Sequence, residues 1–227
     1  MTWDTDFAIS ILPELMRGLW VTIQAVALGM SIALVLGLGW ALARRSPRRF
    51  LAWPASAFVE VVRSTPLLVQ IYFLYYALPS IGLRLSAFPT GVLALGLHYS
   101  TYATEVYRAG IESVPRGQWE ASRAVNLTRA ETYRHVILPQ AIPPVVPALG
   151  NYLIAMFKDT PMLSAITVLE ILRRSQIIGK ESFRFLEPLT IVGIAYLLLS
   201  LLSARLVSRL ERHLGRIQAP GLEGATS

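Results

Sequence analysis

The chain contains no cysteine, which removes disulfides, thiolate metal sites and cysteine nucleophiles from its chemistry. Charge is scarce too. Of 227 residues, 15% are charged, against about 25% in an ordinary soluble domain, so water is not its main solvent. Histidine occurs only at His98, His135 and His213, and no second histidine or carboxylate is spaced to complete a metal site with any of them. A phosphate-binding loop is missing, because Gly179-Lys180-Glu181 lacks the upstream glycine and the hydroxyl that such a loop needs. Met1 to Leu15 holds Asp4, Asp6 and Glu14 but no Lys or Arg, so the first apolar run is expected to stay in the mature protein and not to act as a cleaved leader. A membrane enzyme would need convergent carboxylates, paired histidines or a serine with a base, and the spacing supplies none.

What is abundant is uncharged apolar sequence. Runs at Leu19 to Ala43, Ser64 to Leu83, Ser86 to Thr104, Val136 to Phe157 and Pro188 to Ala204 are each near or above the ~17–20 residues that cross hydrocarbon. The expectation is an all-α membrane protein with five transmembrane helices. Residues 1–18 form an extracytoplasmic amino-terminal segment, 19–216 one transmembrane domain, and 217–227 a Gly-rich disordered cytoplasmic tail.

Basic residues are retained on the cytoplasmic side of a membrane. Arg44, Arg45, Arg48 and Arg49 follow the first run, Arg108, Arg116, Arg123, Arg129 and Arg134 the third, and Arg205, Arg209, Arg212 and Arg216 the fifth. These thirteen of the 21 basic residues place the amino terminus outside and the carboxyl terminus inside. Arg17, Arg84, Lys158, Arg173, Arg174, Lys180 and Arg184 fall on the other side and weaken the asymmetry. Clusters this basic suit anionic lipid headgroups better than nucleic acid.

Along the chain, Gly29, Gly37 and Gly39 allow close helix contact in the first run. Trp53-Pro54 and Glu60 mark an interfacial helix before the second. Gln70, Tyr72, Tyr75 and Tyr76 put polar atoms in hydrocarbon. Tyr72 and Tyr76 share a face by their i, i+4 spacing, and two readings are open: rings lining a cavity for a cationic group, or interfacial and interhelical packing. His98 is read as a hydrogen-bonding strut or a substrate contact. Pro139, Pro143, Pro144 and Pro147 crowd the fourth run, so a regular helix is expected to begin near Pro143 or Pro144. Lys158 and Asp159 then lie near the outer boundary, as gating charges, as an ion pair, or with the Lys snorkelling.

Between the third and fourth runs lies a polar, helix-forming insertion. Glu120 to Val125 are helix formers, Asn126 tolerates the left-handed conformation of a helix end, and Thr128-Arg129-Ala130-Glu131 fits a capping box. The pattern predicts helix, sharp turn, helix.

Gly117-Gln118-Trp119-Glu120-Ala121 with the distal Leu138-Pro139 resembles the cytoplasmic coupling loop of ABC importer permeases, here at about 111–140. Thr65-Pro66-Leu67-Leu68-Val69-Gln70-Ile71-Tyr72-Phe73 is similar to the second-span signature of the polar amino acid (histidine/glutamine-type) permeases, with Ser64 and Asn126 standing where that family usually has Gly. Tyr99-Ser100-Thr101-Tyr102, Glu105 to Ile111 and Asn151 to Lys158 look most like permeases for ectoine and hydroxyectoine. The resemblance implies a type I ABC importer permease of the bacterial cytoplasmic membrane, importing a small zwitterion by alternating access. Gly117, Glu120, Ala121, Arg123, Asn126, Thr128 and Glu131 would meet the ATPase, while Gln70, Tyr72, Tyr76, His98, Lys158 and Asp159 would line the substrate path. It also implies no cofactor in this chain, ATP and Mg being bound by separate ATPase subunits. A second permease subunit, like or unlike, and an extracytoplasmic solute-binding protein complete the set. A secondary transporter or channel working without nucleotide would call for inverted repeats and an acidic site within a span, and neither is seen.

Overall fold

The computed structural model describes residues 2–218, and every regular element among them is helical. Helix α1 runs Thr5–Arg44. The Asp4 carboxylate starts it by accepting from the Phe7 amide at 3.0 Å. This helix begins inside the stretch expected as a separate amino-terminal segment, so position 18 marks no structural boundary. Packing explains the extension: Ile11 and Leu15 are buried against Ile171 and Val192, which carries the helix past the end of the apolar run.

Helix α2 (Arg49–Arg63) turns by 108° into α3 (Leu67–Tyr72), which continues through a π turn at Phe73–Ala77 and a 3-10 turn at Leu78–Ile81. The Ser64 to Leu83 run is therefore not one regular helix. Pro66 disfavours the helical conformation at Thr65, which sets the bend. Ser64 sits at φ −83°, a conformation open to any residue, so the bend has no need of glycine there.

Helix α4 (Ala87–Glu112) is the most enclosed, with α1 as its main neighbour. At Gly37 an added Cβ would stand 2.7 Å from the Ala103 Cβ and 2.9 Å from the Ser100 carbonyl oxygen, so the backbones meet where no side chain fits. The Thr104 hydroxyl donates to the Gly37 carbonyl at 3.2 Å across this contact.

After α5 (Arg116–Ala124), the single turn α6 (Arg129–Glu131) leads through a π turn at Thr132–Ile137 into α7 (Leu138–Asp159) and a 3-10 turn at Thr160–Ile166. The expected start near Pro143 or Pro144 is corrected: α7 begins at Leu138, and Pro143, Pro144 and Pro147 lie inside it. Each interior proline leaves one carbonyl of the preceding turn without its amide donor. An open cavity of about 530 Å³ lies beside that stretch, lined by these prolines with Ser113, Pro115, Gln140 and Glu211.

Helices α8 (Ile171–Ser182) and α9 (Leu186–Gln218) complete the chain. Residues 217 and 218, the first two of the expected tail, are the end of α9, and 219–227 lie outside the described residues. Among the described residues three helices are long and apolar enough to cross a membrane, in α1, α7 with its flanking turns, and α9, or four if the bent α2–α3 pair is one span. Five were expected. Helix α4 has the length but carries His98-Tyr99-Ser100-Thr101-Tyr102 in its middle, tolerated because α1, α3 and α7 surround it.

Candidate functional site

The elbow between α4 and α7 is built by two reciprocal caps. At the end of α5 the Asn126 amide donates to the Arg123 carbonyl and the Leu127 amide to the Ser122 carbonyl, each at 3.0 Å, with Asn126 at φ 58°. That is the Schellman pairing, and asparagine supplies the left-handed residue in place of glycine. One residue later the Thr128 amide donates to Glu131 Oε2 at 2.8 Å, while the Glu131 amide donates to Thr128 Oγ1 at 3.3 Å. The capping box read from the sequence is present. The Thr128 hydroxyl and amide hold the Glu131 carboxyl below its ordinary value.

Packing roots the elbow. Trp119 stands edge-on to Tyr133 at 5.4 Å between ring centroids, and both lean on a buried cluster of Ile111, Val114, Ile137 and Ala141 from the end of α4 and the start of α7. Ser122, also buried, donates to the Gln118 carbonyl at 2.7 Å. Glu120, Ala121 and Arg123 are exposed, as are Asn126, Thr128 and Glu131 on the turn. Gly117 is exposed with nothing within 4 Å of where its Cβ would be. The rooting pair escaped the sequence reading, whose only signal for it was two aromatics within an otherwise polar insertion.

Ion pairs place the ends of α1, α2 and α4 together. Glu105 accepts from Arg44 at 2.6 Å, from Arg63 at 3.3 Å and from Arg108 at 2.9 Å, and Arg108 reaches on to Glu112 at 2.6 Å. At the far end Arg174 pairs with Glu14, and Arg184 with Asp4 and Glu187. Several basic residues that blurred the charge asymmetry thus have local carboxylate partners.

The residues expected to touch substrate divide into two groups. Gln70, His98 and Asp159 join a polar cluster deep among α3, α4 and α7. Gln70 Nε2 lies 2.7 Å from the Val62 carbonyl, 3.0 Å from the Thr65 carbonyl and 2.9 Å from Thr65 Oγ1, closing the α2–α3 bend, and its Oε1 faces His98 Nδ1 at 3.2 Å. That pairing requires the proton on Nδ1. Tyr99 donates to Asp159 Oδ2 at 2.7 Å. Tyr102 and Tyr152, unassigned by the sequence reading, stack beside them at 5.3 Å, and the Arg63 guanidinium sits 5.6 Å from the Tyr102 ring. Tyr72 and Tyr76, 42% and 61% exposed, pack on each other, with Tyr75 edge-on to Tyr76, and face outward, and Lys158 is exposed without an ion pair among the described residues.

The described chain is thus a set of long helices with a capped, polar elbow rooted between two of them. Over residues 23–216 the chain matches the family described as binding-protein-dependent transport system inner membrane component, and it belongs to that family. It is thus the permease subunit of an ABC transporter, a multi-pass inner-membrane protein without catalytic chemistry of its own, and membership implies ATPase and binding-protein partners. A probable amino-acid ABC transporter permease of Sinorhizobium fredii is 49% identical, over 96% of this chain and 97% of that one. The L-cystine transport system permease of Bacillus subtilis is 38% identical, over 91% of each. Among solved structures, one titled as an amino acid ABC transporter with histidines superposes with a TM-score of 0.88 at 37% identity, covering 94% of this chain and 100% of that one.

Proposed function

We propose that this chain is one half of the pore of an ATP-driven importer for a small zwitterion, a polar amino acid or a compatible solute of the ectoine kind. The single observation that carries the reading is the elbow: a short helix locked by two caps and rooted by Trp119 and Tyr133 can pass displacement to α4 and α7, where a plain loop would absorb it. Closure of a separate ATPase dimer would push on Glu120, Ala121 and Arg123 and reorient the permease halves. In this reading the amino terminus is outside, the carboxyl terminus inside, and five segments cross, α4 being the enclosed one.

The polar cluster fits a zwitterion. Asp159 offers a carboxylate for an ammonium group and Tyr102 and Tyr152 offer ring faces, while Lys158, exposed at the next position outside the cluster, offers a cation for a carboxylate. The relatives named for amino acids and cystine transport solutes of that class. Ectoine remains within the proposal on the Tyr99-Ser100-Thr101-Tyr102 and Asn151 to Lys158 segments.

The test is reconstitution with the ATPase, the second permease subunit, like or unlike, and the solute-binding protein. Solute should stimulate ATP hydrolysis, and Glu120→Arg or Ala121→Arg should abolish that stimulation while membrane insertion persists. Solute movement by this chain alone, without nucleotide, would overturn the reading in favour of a secondary transporter. Binding of ectoine and of amino acids to the receptor decides between the two solute kinds.

A further inference from the structure

Helix α9 carries two faces with different tasks. Ser203 is buried, and Val207 fills the space above Gly150 of α7, so one face is committed to packing. Leu201, Arg205, Ser208 and Arg212 follow at i, i+4, i+7 and i+11, which aligns them on the opposite face, with Arg209 beside them. They line a shallow cavity of about 390 Å³ together with Ala204. All three arginines are exposed, and none has a carboxylate within ion-pair distance among the described residues.

Depth follows from length. A ~30 Å hydrocarbon core takes ~20 helical residues, so a span entered at Leu186 leaves the core near Arg205. Leu197, Leu198 and Leu201, each at least 46% exposed, then lie in the acyl region. Arg205 stands at the boundary, and Arg209 and Arg212 lie ~6 and ~10 Å further, within the headgroup layer.

We infer that this face is a binding site for an anionic phospholipid, its phosphate held by Arg205, Arg209 and Arg212 with the Ser208 hydroxyl, its chain lying along Leu201 and Leu198. Arginine suits the task because its planar fork engages phosphate oxygens two at a time. The inference uses the membrane placement of α9 and is independent of the transported solute.

The full-length chain in phosphatidylcholine nanodiscs, titrated with fluorescent phosphatidylglycerol, tests it. R205Q/R209Q/R212Q should weaken binding roughly a hundredfold, and R209Q alone roughly fivefold to tenfold. R48Q/R49Q/R134Q, which removes as much charge elsewhere, should leave it within about twofold. Unchanged binding in the triple variant overturns the site, and an equal loss in the control variant shows diffuse charge attraction instead. Glycerol 3-phosphate competing as well as the lipid would assign the site to free phosphate. Because the chain has no cysteine, S208C gives a clean probe, and a disulfide between two copies would show a protein interface in place of lipid. If lipid binds as expected but solute fails to stimulate ATP hydrolysis in the reconstituted complex, the transport reading fails and the lipid site stands.

Discussion

Thr128 and Glu131 satisfy each other's backbone amides, at 2.8 Å and 3.3 Å, and this exchange fixes where α5 ends its turn and α6 begins. Replacing Thr128 with Ala should cost the elbow about 1 kcal/mol, visible as faster amide exchange over 126–132 and unchanged exchange in α4. The effect has a pH signature. Glu131 has a folded value below its ordinary 4.5, so its contribution is complete above 4.5 and fades as pH falls through the lowered value. Protection of the turn should stay flat from neutral pH to about 4.5 and fall only below it; a decline complete before that pH would refute the assignment to Glu131.

Asn126 holds φ 58°, a conformation that costs a β-branched residue about 1–2 kcal/mol. Asn126→Gly should preserve both the turn and solute-stimulated ATP hydrolysis, whereas Asn126→Val should lower the stimulation with little change in basal hydrolysis. Equal activity of the two variants would mean that the turn geometry does not matter to coupling.

How much of this was legible beforehand differs by element. The elbow was readable because caps are local: Thr128, Glu131 and Asn126 act on neighbours within four residues, and their side-chain chemistry states the geometry. The five apolar runs fall within or beside the long helices, but their regularity did not show. Hydropathy is blind to the π turns at Phe73–Ala77 and Thr132–Ile137, and to an α7 that runs through Pro143, Pro144 and Pro147 beside an open cavity. The polar cluster was half legible. Gln70, His98 and Asp159 stood out as polar groups in apolar runs, but Gln70 meets His98 across 28 residues and Asp159 meets Tyr99 across 60, and only the packing of α3, α4 and α7 brings these together.

Gly37 and Gly39 look alike in the sequence and differ in the fold. A methyl at Gly37 would meet the Ala103 Cβ at 2.7 Å and backbone oxygen at 2.9 Å, and neither can withdraw without separating α1 from α4. Gly37→Ala should destabilise the protein by about 1–3 kcal/mol. At Gly39 nothing lies within 4 Å, so Gly39→Ala should be neutral or stabilise by up to about 1 kcal/mol through helix propensity. Thermal unfolding of the two purified variants in detergent checks the order, and the reverse order would refute the close contact.

Gln70 is a strut before it is anything else. Its Nε2 donates to the Val62 and Thr65 carbonyls at the 108° bend, the first shared with the Thr65 hydroxyl. Gln70→Leu should leave these acceptors without it and cost about 1–3 kcal/mol, read as a lower unfolding temperature even in the absence of solute. A variant with unchanged stability but weakened solute affinity would move Gln70 from the scaffold to the substrate path.

Tyr99 and Asp159 separate those two roles most sharply. The tyrosine is 5% exposed and spends its hydroxyl on Asp159 at 2.7 Å, while the carboxylate is half-buried at the end of α7. If Asp159 serves a substrate ammonium, its charge is the essential property and the tyrosine only aims it. Asp159→Asn should then raise the KM for transport at least tenfold with kcat little changed, the pattern of lost ground-state binding. Tyr99→Phe keeps the charge and should raise KM no more than about threefold. A purely structural bond makes the opposite demand: both variants would lower stability by a similar amount, about 1–3 kcal/mol, and leave the KM of the folded fraction alone. Initial uptake rates in proteoliposomes, normalised to folded protein, distinguish these outcomes.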